Sequence, residues 1–352
     1  MQQWPEPLHD RTLVDRAGAV LAEVAPQPSE LDDALTVINN WRSAHQFPLN
    51  TFQSTLRDKT AQFRGSVVVQ RVKRLRAVQH KLRKHTKKPI SLSEMQDIGG
   101  CRAVLGSYAQ MRRLRDAYLH GRFKHDLLDE NDYILKPKFS GYRGIHLVYA
   151  YKSETKTIYN GLKIEIQLRS QLQHAWATAV EMVGFFRREL LKSGEGDNIW
   201  KHFFKLMAAE IAYQEKAPFG IPGMPQDRKS VQEQLRRCAV KCGALAYLRT
   251  VGGGITDIQK VDIGGAHWYL LELDILARRL KVTGYKLSAR AKATMDYAAV
   301  EKQVFGSREH DSVLVSAESM SDLKRAYTNY FFDVHRFIAT VAGVCENGGV
   351  AG

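Results

Sequence analysis

Apolar and polar residues alternate with a period of two in two stretches near the middle of the chain. Between 141 and 151 (GYRGIHLVYAY), aliphatic and aromatic residues at 145, 147 and 149 alternate with His146 and a valine. Between 163 and 170 (KIEIQLRS), aliphatic residues take one side and a polar set takes the other: Glu165, Gln167 and Arg169. Because successive side chains of a strand point to opposite faces, residues 132–151 and 162–169 are predicted to be strands that share a polar face.

Helical spacing of apolar residues dominates the sequence around these strands. Residues 66–85 (SVVVQRVKRLRAVQHKLRKH) place an apolar stripe at 68, 72, 75 and 82 beside a wholly cationic face, which predicts one amphipathic helix. The same spacing predicts further helices over 30–41, 109–120, 172–191 and 198–216, and a strand is predicted over 101–105. This order of elements indicates an α+β fold, a mixed β-sheet flanked by helices.

A segment rich in proline and glycine divides the chain. Residues 216–228 (KAPFGIPGMPQDR) contain three prolines and two glycines, which is typical of a linker. We therefore expect one domain over 1–215 and a smaller α/β domain over 229–352. The smaller domain is predicted to contain strands and helices in alternation: strands over 267–274, 277–285 and 311–319, and helices over 289–305 and 320–343.

Length and composition limit the expected number of domains and the expected location of the protein. The 352 residues are enough for one large or two ordinary domains. No apolar run approaches the roughly 20 residues that cross a bilayer, and the first residues lack the basic-then-apolar pattern of a secretory signal. The expected location is therefore the cytoplasm, without a membrane partner.

The chain is strongly basic, with a formal net charge of +15. No acidic residue occurs between Lys59 and Ser93, whereas basic residues are frequent there: Lys59, Arg64, Arg71, Lys73, Arg74, Arg76, Lys81, Arg83, Lys84, Lys87 and Lys88. A solvated helix face normally interleaves acids with bases. The absence of acids favours a partner that carries phosphates.

The four cysteines give no clear metal site. Cys238 and Cys242 are close in sequence (CAVKC), but their spacing suits one helix face, and Cys101 and Cys345 lie far away. A zinc site therefore competes with the plainer interpretation of buried, inert thiols.

Several residues in and before the two strands could take part in chemistry on phosphates. Asp97 precedes a strand and Glu165 lies on one, so both could converge on Mg²⁺ with bound phosphates, although each could equally be a surface acid or a helix cap. Tyr142 lies between Gly141 and Gly144 and could stack on a base or pack over a hairpin. His146 could contact a phosphate or serve a structural role. No phosphate-binding GxxxxGK[ST] loop, dinucleotide-type GxGxxG or Ser-His-Asp set is recognisable.

Four blocks of sequence, in this order, resemble the synthetase domain of the RelA/SpoT family. They are RVKRLRAVQHKL (71–82), DIGGCR (97–102), DYILKPKFSGYRGIH (132–146) and EIQLRSQLQHAWA (165–177), and the resemblance covers roughly 50–210. It implies a nucleotidyltransferase-like mixed sheet and an enzyme that moves pyrophosphate from ATP to a 3′ hydroxyl and releases AMP. The chain would then be a short synthetase, since no HD-type hydrolase region precedes the blocks and no long regulatory tail follows them.

The resemblance also implies roles for individual residues. It assigns Mg²⁺ to Asp97 and Glu165, with Glu165 also a candidate base for the attacking hydroxyl. It assigns ATP to a set of cationic residues: Arg71, Lys73, Lys81, Arg102, Arg112 and Arg113. It assigns the acceptor to Lys138, Tyr142, His146 and Gln167, with Arg169 on the same strand face. The chain departs from many relatives after His174, where AWATAVE replaces AWAE, so no role is assigned to Glu181.

The C-terminal region resembles that of the fused toxin–antitoxin members called CapRel. Near the end, RAYTNYFFDV places Tyr327 and Tyr330 three residues apart, and the ordinary alternative is two core tyrosines. The resemblance implies a pseudo-zinc-finger domain whose Tyr-x-x-Tyr element blocks the ATP site. It further implies transfer to the 3′ CCA end of tRNA, arrest of translation, and release by a phage capsid protein.

Three functions follow as hypotheses. The first is this autoinhibited pyrophosphokinase acting on tRNA, a monomer or weak oligomer. The second is a small alarmone synthetase that makes (p)ppGpp from ATP and GDP or GTP, with the same catalytic residues. The third is an inactive RNA-binding or sensor protein, which the presence of both Asp97 and Glu165 disfavours.

Overall fold

The computed structural model describes residues 4–84, 90–187, 191, 197–252, 255–307, 309–328, 330–331 and 334–346. The strands are β1 (Val67–Val72), β2 (Gly99–Leu105), β3 (Asp126–Asp132), β4 (Ile145–Ala150), β5 (Lys163–Ser170), β6 (Asp257–Val261), β7 (Trp268–Asp274), β8 (Arg279–Tyr285) and β9 (His310–Ser316). The helices are α1 (Arg11–Ala22), α2 (Pro28–Ala44), α3 (Gln46–Thr60), α4 (Leu75–Lys84), α5 (Tyr108–Leu119), α6 (Gln171–Arg187), α7 (Asn198–Gln214), α8 (Arg228–Lys241), α9 (Ala244–Val251), α10 (Arg290–Val304), α11 (Met320–Ala326) and α12 (His335–Cys345). None of the helices in these ranges is long and apolar enough to cross a membrane.

One mixed sheet runs through the molecule, in the order β3-β4-β5-β2-β1-β9-β7-β8-β6. The β2–β5 and β6–β8 pairs are parallel and the remaining pairs are antiparallel, which confirms the predicted α+β fold with a mixed sheet. Strand β9 pairs with β1 at Gln70↔Ser316 and Arg71↔Val315. The residues before and after the 216–228 segment therefore contribute to a single sheet, and the division into two domains stays a prediction.

The prediction of one helix over 66–85 is wrong in its first half, where the chain forms β1 before α4 begins at Leu75. Three consecutive valines begin this strand, and β-branched side chains favour a pleated, buried surface. Val67 and Val69 enter the core on one face of the sheet, while Val68 enters the core on the other. Burial on both faces removes the alternation that would have indicated a strand. Strand β6 had no counterpart in the prediction, and the stretch 133–144 is a loop between β3 and β4.

Two large hydrophobic cores cover the two faces of the sheet, and a smaller third core lies between α10 and strands β7, β8 and β9. Helices α1, α2, α3 and α5 pack on one face, against the aliphatic side of β5 (Ile164, Ile166 and Leu168). Helices α6 to α9 and α12 pack on the other face together with β7, β8 and β9. The thiol of Cys238, on α8, donates to the backbone carbonyl of Ile199, and the thiol of Cys242, directly after α8, donates to that of Ala239. The second core is continuous between the N-terminal and C-terminal halves.

A buried ion pair joins the two halves at the junction of β1 and α4. Arg42 of α2 donates from Nη1 and Nη2 to the Glu301 carboxylate of α10 across 2.7 and 3.0 Å, and their side chains are only 4% and 8% exposed. Burial alone would lower the pKa of Arg42, but Glu301 and Tyr297 outweigh it and raise the pKa. Glu301 also accepts the backbone N–H of Leu75 at 2.7 Å, where α4 begins. A carboxylate at a helix N-terminus satisfies an N–H group that has no partner within the helix.

Replacing Arg42 with methionine should destabilise the protein by about 3–5 kcal/mol, because Glu301 would stay buried without its cation. Urea unfolding, followed by circular dichroism, measures the change. The matched control is Arg249→Met, which removes an ion pair to Glu346 whose side chains are both 57% exposed and should cost about 0–1 kcal/mol. The double variant Arg42→Met/Glu301→Leu should regain much of the loss. Equal effects of Arg42→Met and Arg249→Met would contradict the assignment.

Candidate active site

A pocket lies on the polar face of the sheet where β1, β2 and β5 run side by side. The parallel register sets Gly100 of β2 beside Glu165 of β5, and Arg102 beside Gln167. Because paired residues project to the same face, the polar side chains of both strands reach one space. The described residues that line it are Val69, Arg71, Lys73, Asp97, Gly100, Cys101, Arg102, Glu165, Gln167 and Tyr327. The two carboxylates predicted to bind metal thus share a pocket.

Asp97 lies just before β2, and lysines bind both of its carboxylate oxygens. Lys73, directly after β1, donates to Oδ2, and Lys81 of α4 donates to Oδ1 across 2.9 Å. Burial alone would raise the pKa of Asp97, but Lys73 and Lys81 outweigh it and lower the pKa. Asp97 is therefore ionised at neutral pH, with two of the predicted ATP-binding cations beside it.

Glu165 lies at the centre of a chain of hydrogen bonds. His146 donates from Nδ1 to Oε1 across 2.7 Å, and Gln167 donates from Nε2 to Oε2 across 2.6 Å. Arg102 in turn donates from Nε and Nη2 to Oε1 of Gln167, both at 3.3 Å. Burial alone would raise the pKa of Glu165, but His146 and Gln167 outweigh it and lower the pKa. For His146 the signs are reversed: burial alone would lower its pKa, but Tyr142 and Glu165 outweigh burial and raise the pKa.

Tyr142 is packed in this structure, which matches the second of its two interpretations. Its side chain is 5% exposed, and its hydroxyl oxygen lies 2.7 Å from His146 Nε2 and accepts from Arg169 Nη2 at 3.0 Å. The exposed Lys138 lies over its ring, with Nζ 5.5 Å from the centroid. The predicted acceptor residues Lys138, Tyr142, His146 and Gln167 are therefore brought together, and their role in binding an acceptor stays a prediction.

Tyr327, in the segment after α11, enters the pocket that holds the carboxylates. Its side chain is 3% exposed, and its hydroxyl donates to the backbone oxygen of Gln70 at 3.3 Å. Burial raises the pKa of Tyr327, and the nearby Arg71 and Arg102 act in the opposite sense. Its ring therefore lies beside Arg71 and Arg102, two of the residues predicted to bind ATP.

Tyr330 contacts the same part of the chain from a second direction. Its hydroxyl donates to Asp311 Oδ2 across 2.8 Å and accepts from Arg74 Nη1 across 2.8 Å. Thr328, between the two tyrosines, has its hydroxyl 2.5 Å from that of Thr178 on α6. Asn329 lies outside the described residues. The Tyr-x-x-Tyr element is thus held against β1, α4 and α6.

Arg112 and Arg113 do not reach the pocket. Helix α5, which carries them, packs through Met111 and Leu114 on the opposite face of the sheet. Arg112 forms an ion pair with Asp132 at the end of β3, and Arg113 is exposed. Both arginines were expected in the ATP pocket. The structure places them elsewhere, because the apolar residues of α5 pack on the opposite face of the sheet and turn both arginines away from the polar face of β5.

The basic residues of 59–84 contact protein groups instead of forming an open cationic face. Arg74 pairs with Asp311, and three others donate to backbone carbonyls: Arg76 to Ser307, Lys59 to Ala117 and Arg83 to Ala22. The phosphate-bearing partner inferred from this stretch stays a prediction, and most of its described cations contact protein groups in this structure. Lys87 and Lys88 lie outside the described residues.

Sequence reasoning missed the contacts that come from the far end of the chain. Arg74 binds Asp311, 237 residues away, and no local pattern indicates such a pair. Burial lowers the pKa of Arg102 to about 10. Glu181 of α6, to which the sequence assigned no role, lies near Arg102 and acts in the opposite sense, since its negative charge favours the charged guanidinium.

Comparison with known proteins matches the region that carries this pocket. Residues 70–183 match the RelA_SpoT family model, described as a region found in RelA / SpoT proteins. GTP pyrophosphokinase YjbM of Bacillus subtilis is 34% identical over 108 residues, which are 30% of this chain and 51% of that protein. GTP pyrophosphokinase of Haemophilus influenzae is 32% identical over 97 residues, 26% of this chain and 11% of that protein. The match thus spans about half the length of one curated relative and a ninth of the other, and it supports a likeness of this region to RelA/SpoT synthetases.

The chain is also similar to solved structures of shorter proteins. Small alarmone synthetase 1 of Bacillus subtilis bound to pppGpp is 22% identical, with a TM-score of 0.40, over 49% of this chain and 88% of that one. Small alarmone synthetase 2 of the same organism is 18% identical, with a TM-score of 0.42, over 51% of this chain and 93% of that one.

The His146–Glu165 pair gives a prediction for pH. Because the folded-state pKa of His146 lies above its usual 6.5, the pair should stabilise the fold fully below pH 6.5 and lose this contribution as the pH rises through the folded-state pKa. NMR titration of the imidazole carbons should place His146 above 6.5, and Glu165→Gln should lower its pKa. His45 is the internal control, since burial lowers its pKa to about 4 and it should stay neutral at pH 6. A His146 that titrates below 6.5 would overturn the ion pair.

Proposed function

We propose that the chain is a pyrophosphokinase that transfers the diphosphate of ATP to a 3′ hydroxyl. The acceptor oxygen forms a bond to the β-phosphorus, the bond from that phosphorus to the α–β bridging oxygen breaks, and AMP leaves. The observation that carries the proposal is the single pocket in which Asp97 and Glu165 lie with Arg71, Lys73 and Arg102. The pocket falls inside the region that matches RelA/SpoT proteins.

Each residue has a distinct part in this proposal. Arg71, Lys73, Lys81 and Arg102 bind the phosphates of ATP, where fixed cations neutralise the charge that develops during transfer. Glu165, ionised because its pKa is lowered, accepts the proton of the attacking hydroxyl. Since His146 holds one of its oxygens in this structure, we propose that the acceptor draws His146 away toward its phosphate.

Two ionised carboxylates in one pocket form a donor set that fits Mg²⁺, which prefers oxygen ligands and keeps contacts to substrate phosphates. Asp97 and Glu165 would hold the ion, and it would add positive charge next to the β- and γ-phosphates. Asp97 Oδ1 and Oδ2 now accept from Lys81 and Lys73, so binding of the ion requires these lysines to turn toward the nucleotide.

For the acceptor we propose the 3′ CCA end of tRNA, with arrest of translation as the consequence. The net charge of +15 supports a polyanionic partner. The second candidate is a guanine nucleotide, GDP or GTP, with (p)ppGpp as the product. The names of the two curated relatives, both GTP pyrophosphokinases, favour it.

We further propose that the C-terminal region, a pseudo-zinc-finger unit over 229–352 linked through 216–228, inhibits the enzyme. Tyr327 occupies space beside Asp97 and Arg71 that the triphosphate of ATP would need. Tyr330 and Asp311 hold Arg74, which fixes the junction that carries Lys73. Release would come from a protein that binds the C-terminal region, with a phage capsid protein as the candidate activator in anti-phage defence. The chain would act in the cytoplasm as a monomer or weak oligomer.

Replacing Tyr327 with alanine in the full chain should raise the transfer of labelled diphosphate by about tenfold or more, because the fraction of chains with an open donor site limits the rate. Thin-layer chromatography of the products from ATP labelled at the β-phosphate measures it. Tyr213→Ala, in which a tyrosine far from the pocket loses its hydroxyl bond to Gln226, is the matched control and should leave the rate unchanged. The double variant Tyr327→Ala/Glu165→Gln should transfer label about a hundredfold or more slowly than Tyr327→Ala does. If Tyr327→Ala bound ATP no better than the native chain, the inhibitory role would fail.

The same assay identifies the acceptor. The Tyr327→Ala chain should transfer label to tRNA with an intact 3′ end and not to tRNA whose terminal ribose has been oxidised by periodate. Label that appears only in GDP or GTP would replace tRNA with the guanine nucleotide. Purified phage capsid protein, added to the native chain, should raise transfer in the same way as the Tyr327 substitution, and a capsid protein from an unrelated phage serves as the control.

A further inference from the structure

A groove lies beside the acceptor loop, on the surface between α6 and α7. Its walls are Phe139 and Ser140 of the loop and Asn198, Lys201, His202 and Lys205 of α7, with Val180 of α6 at its base. The Phe139 side chain is 72% exposed, and Lys205 Nζ lies 3.1 Å from its ring centroid. An aromatic ring that is exposed while a cation lies on its face is typical of a surface that stacks bases and binds phosphates.

The cations of this groove are not neutralised by the protein. Burial lowers the pKa of Lys205, and the charge of Lys201 adds to the effect. Burial also lowers the pKa of His202, with a contribution from Lys205. In the part of the chain that the structure describes, no carboxylate forms an ion pair with Lys201 or Lys205, and the nearby Asp197 pairs with Arg187 and caps α7. Two neighbouring lysines without an acidic partner among the described residues favour an anionic ligand.

The groove adjoins the loop that carries Tyr142, one of the proposed acceptor residues. Gly141, with φ +87°, lies so close to α7 that an added Cβ would be 3.2 Å from both Ala208 Cβ and Lys205 Cα. This contact fixes the loop on α7, with Phe139 on one side of Gly141 and Tyr142 on the other. Because Phe139 and Tyr142 are three positions apart in the chain, their backbones lie within about 11 Å of one another. The two side chains are thus close enough for one bound strand to reach both.

No described part of the C-terminal region covers the groove, although Tyr327 of that region fills part of the donor pocket. Every described residue that lines it comes from 139–205, and none comes from the C-terminal region. Tyr327, by contrast, occupies the donor pocket. Ligand binding in the groove should therefore not depend on the C-terminal region.

We propose that this groove binds the penultimate nucleotide of a single-stranded RNA 3′ end, with Phe139 stacked on its base and Lys201 and Lys205 on the phosphates that flank it. The inference rests on the proposed transfer to the 3′ hydroxyl of the terminal nucleoside, held by Tyr142 and His146. A mononucleotide such as GDP could place its phosphates near the lysines, but it has no second base for Phe139. The groove thus accounts for a preference for RNA over a free nucleotide.

The test measures RNA binding and transfer separately. The binding probe is a fluorescent single-stranded RNA oligonucleotide that ends in CCA with a 3′-deoxy terminus, titrated with the native full chain and followed by anisotropy. Phe139→Ala should weaken binding about tenfold to a hundredfold, the range expected for loss of one base–aromatic stack, and Phe139→Trp should restore it. Lys201→Gln and Lys205→Gln should each reduce the dependence of log K on log salt by about 0.7. Leu276→Ala, at a remote position that is 65% exposed, should bind as the native chain does.

The outcomes distinguish this inference from the proposed function. Tyr327→Ala should leave RNA affinity unchanged although it raises transfer. If RNA binds in a Phe139-dependent manner and no label is transferred to any acceptor, the groove stands and the proposed reaction fails. If label is transferred to tRNA and Phe139→Ala neither weakens RNA binding nor raises the KM for tRNA, the groove inference is overturned. It is overturned equally if Phe139→Ala weakens the binding of GDP as much as that of RNA.

Discussion

Three consecutive residues at the junction of β1 and α4 connect the candidate active site to the C-terminal region. Lys73 holds Asp97 through its side chain, and its carbonyl oxygen accepts from Arg42 at 2.9 Å. Arg74 binds Asp311 and Tyr330, and the N–H of Leu75 donates to Glu301 at 2.7 Å. The start of the helix that carries Lys81 is therefore fixed by residues more than two hundred positions away, so the C-terminal region helps to position Lys73 and Lys81, two of the cations proposed to bind ATP.

These contacts determine how the C-terminal region could separate from the candidate active site. The ladder between β1 and β9 contains two residue pairs, whereas the β7–β9 ladder contains seven, so the sheet itself resists separation least at this position. The buried Arg42–Glu301 pair resists it more, because separation would leave both charges to be solvated anew. An activator can shift such an equilibrium only by the difference in its affinity for the two states. A partner that merely covered the C-terminal surface in both states would therefore leave Tyr327 where it is.

The parts of the site that the sequence predicted correctly are those encoded by local pattern. The alternation in 163–170 placed Glu165, Gln167 and Arg169 on one face, and the structure shows all three in one hydrogen-bond network with His146. Local pattern failed where burial occurs on both faces, as in β1, whose valines suit a helix stripe and a strand equally. The resemblance also misplaced Arg112 and Arg113, which lie outside its four sequence blocks, because it does not say toward which face of the sheet their helix turns. Contacts such as Arg42–Glu301 leave no signal in the sequence, since each partner looks like a surface charge.

The basic residues show why a run of positive charge in the sequence is a poor guide to where a polyanion binds. Most cations of the stretch from Lys59 to Lys84 contact carbonyls or carboxylates of the protein. Lys73 and Lys81, which contact Asp97, are the ones that we propose turn toward the phosphates of ATP. Lys201 and Lys205 belong to no conspicuous run, but they repel one another and have no acidic partner among the described residues. A cation contributes to binding a phosphate only when the fold has not already neutralised it. By that criterion the stretch is structural apart from the residues proposed to bind ATP, and the groove beside Phe139 offers two lysines to which a nucleic acid could bind.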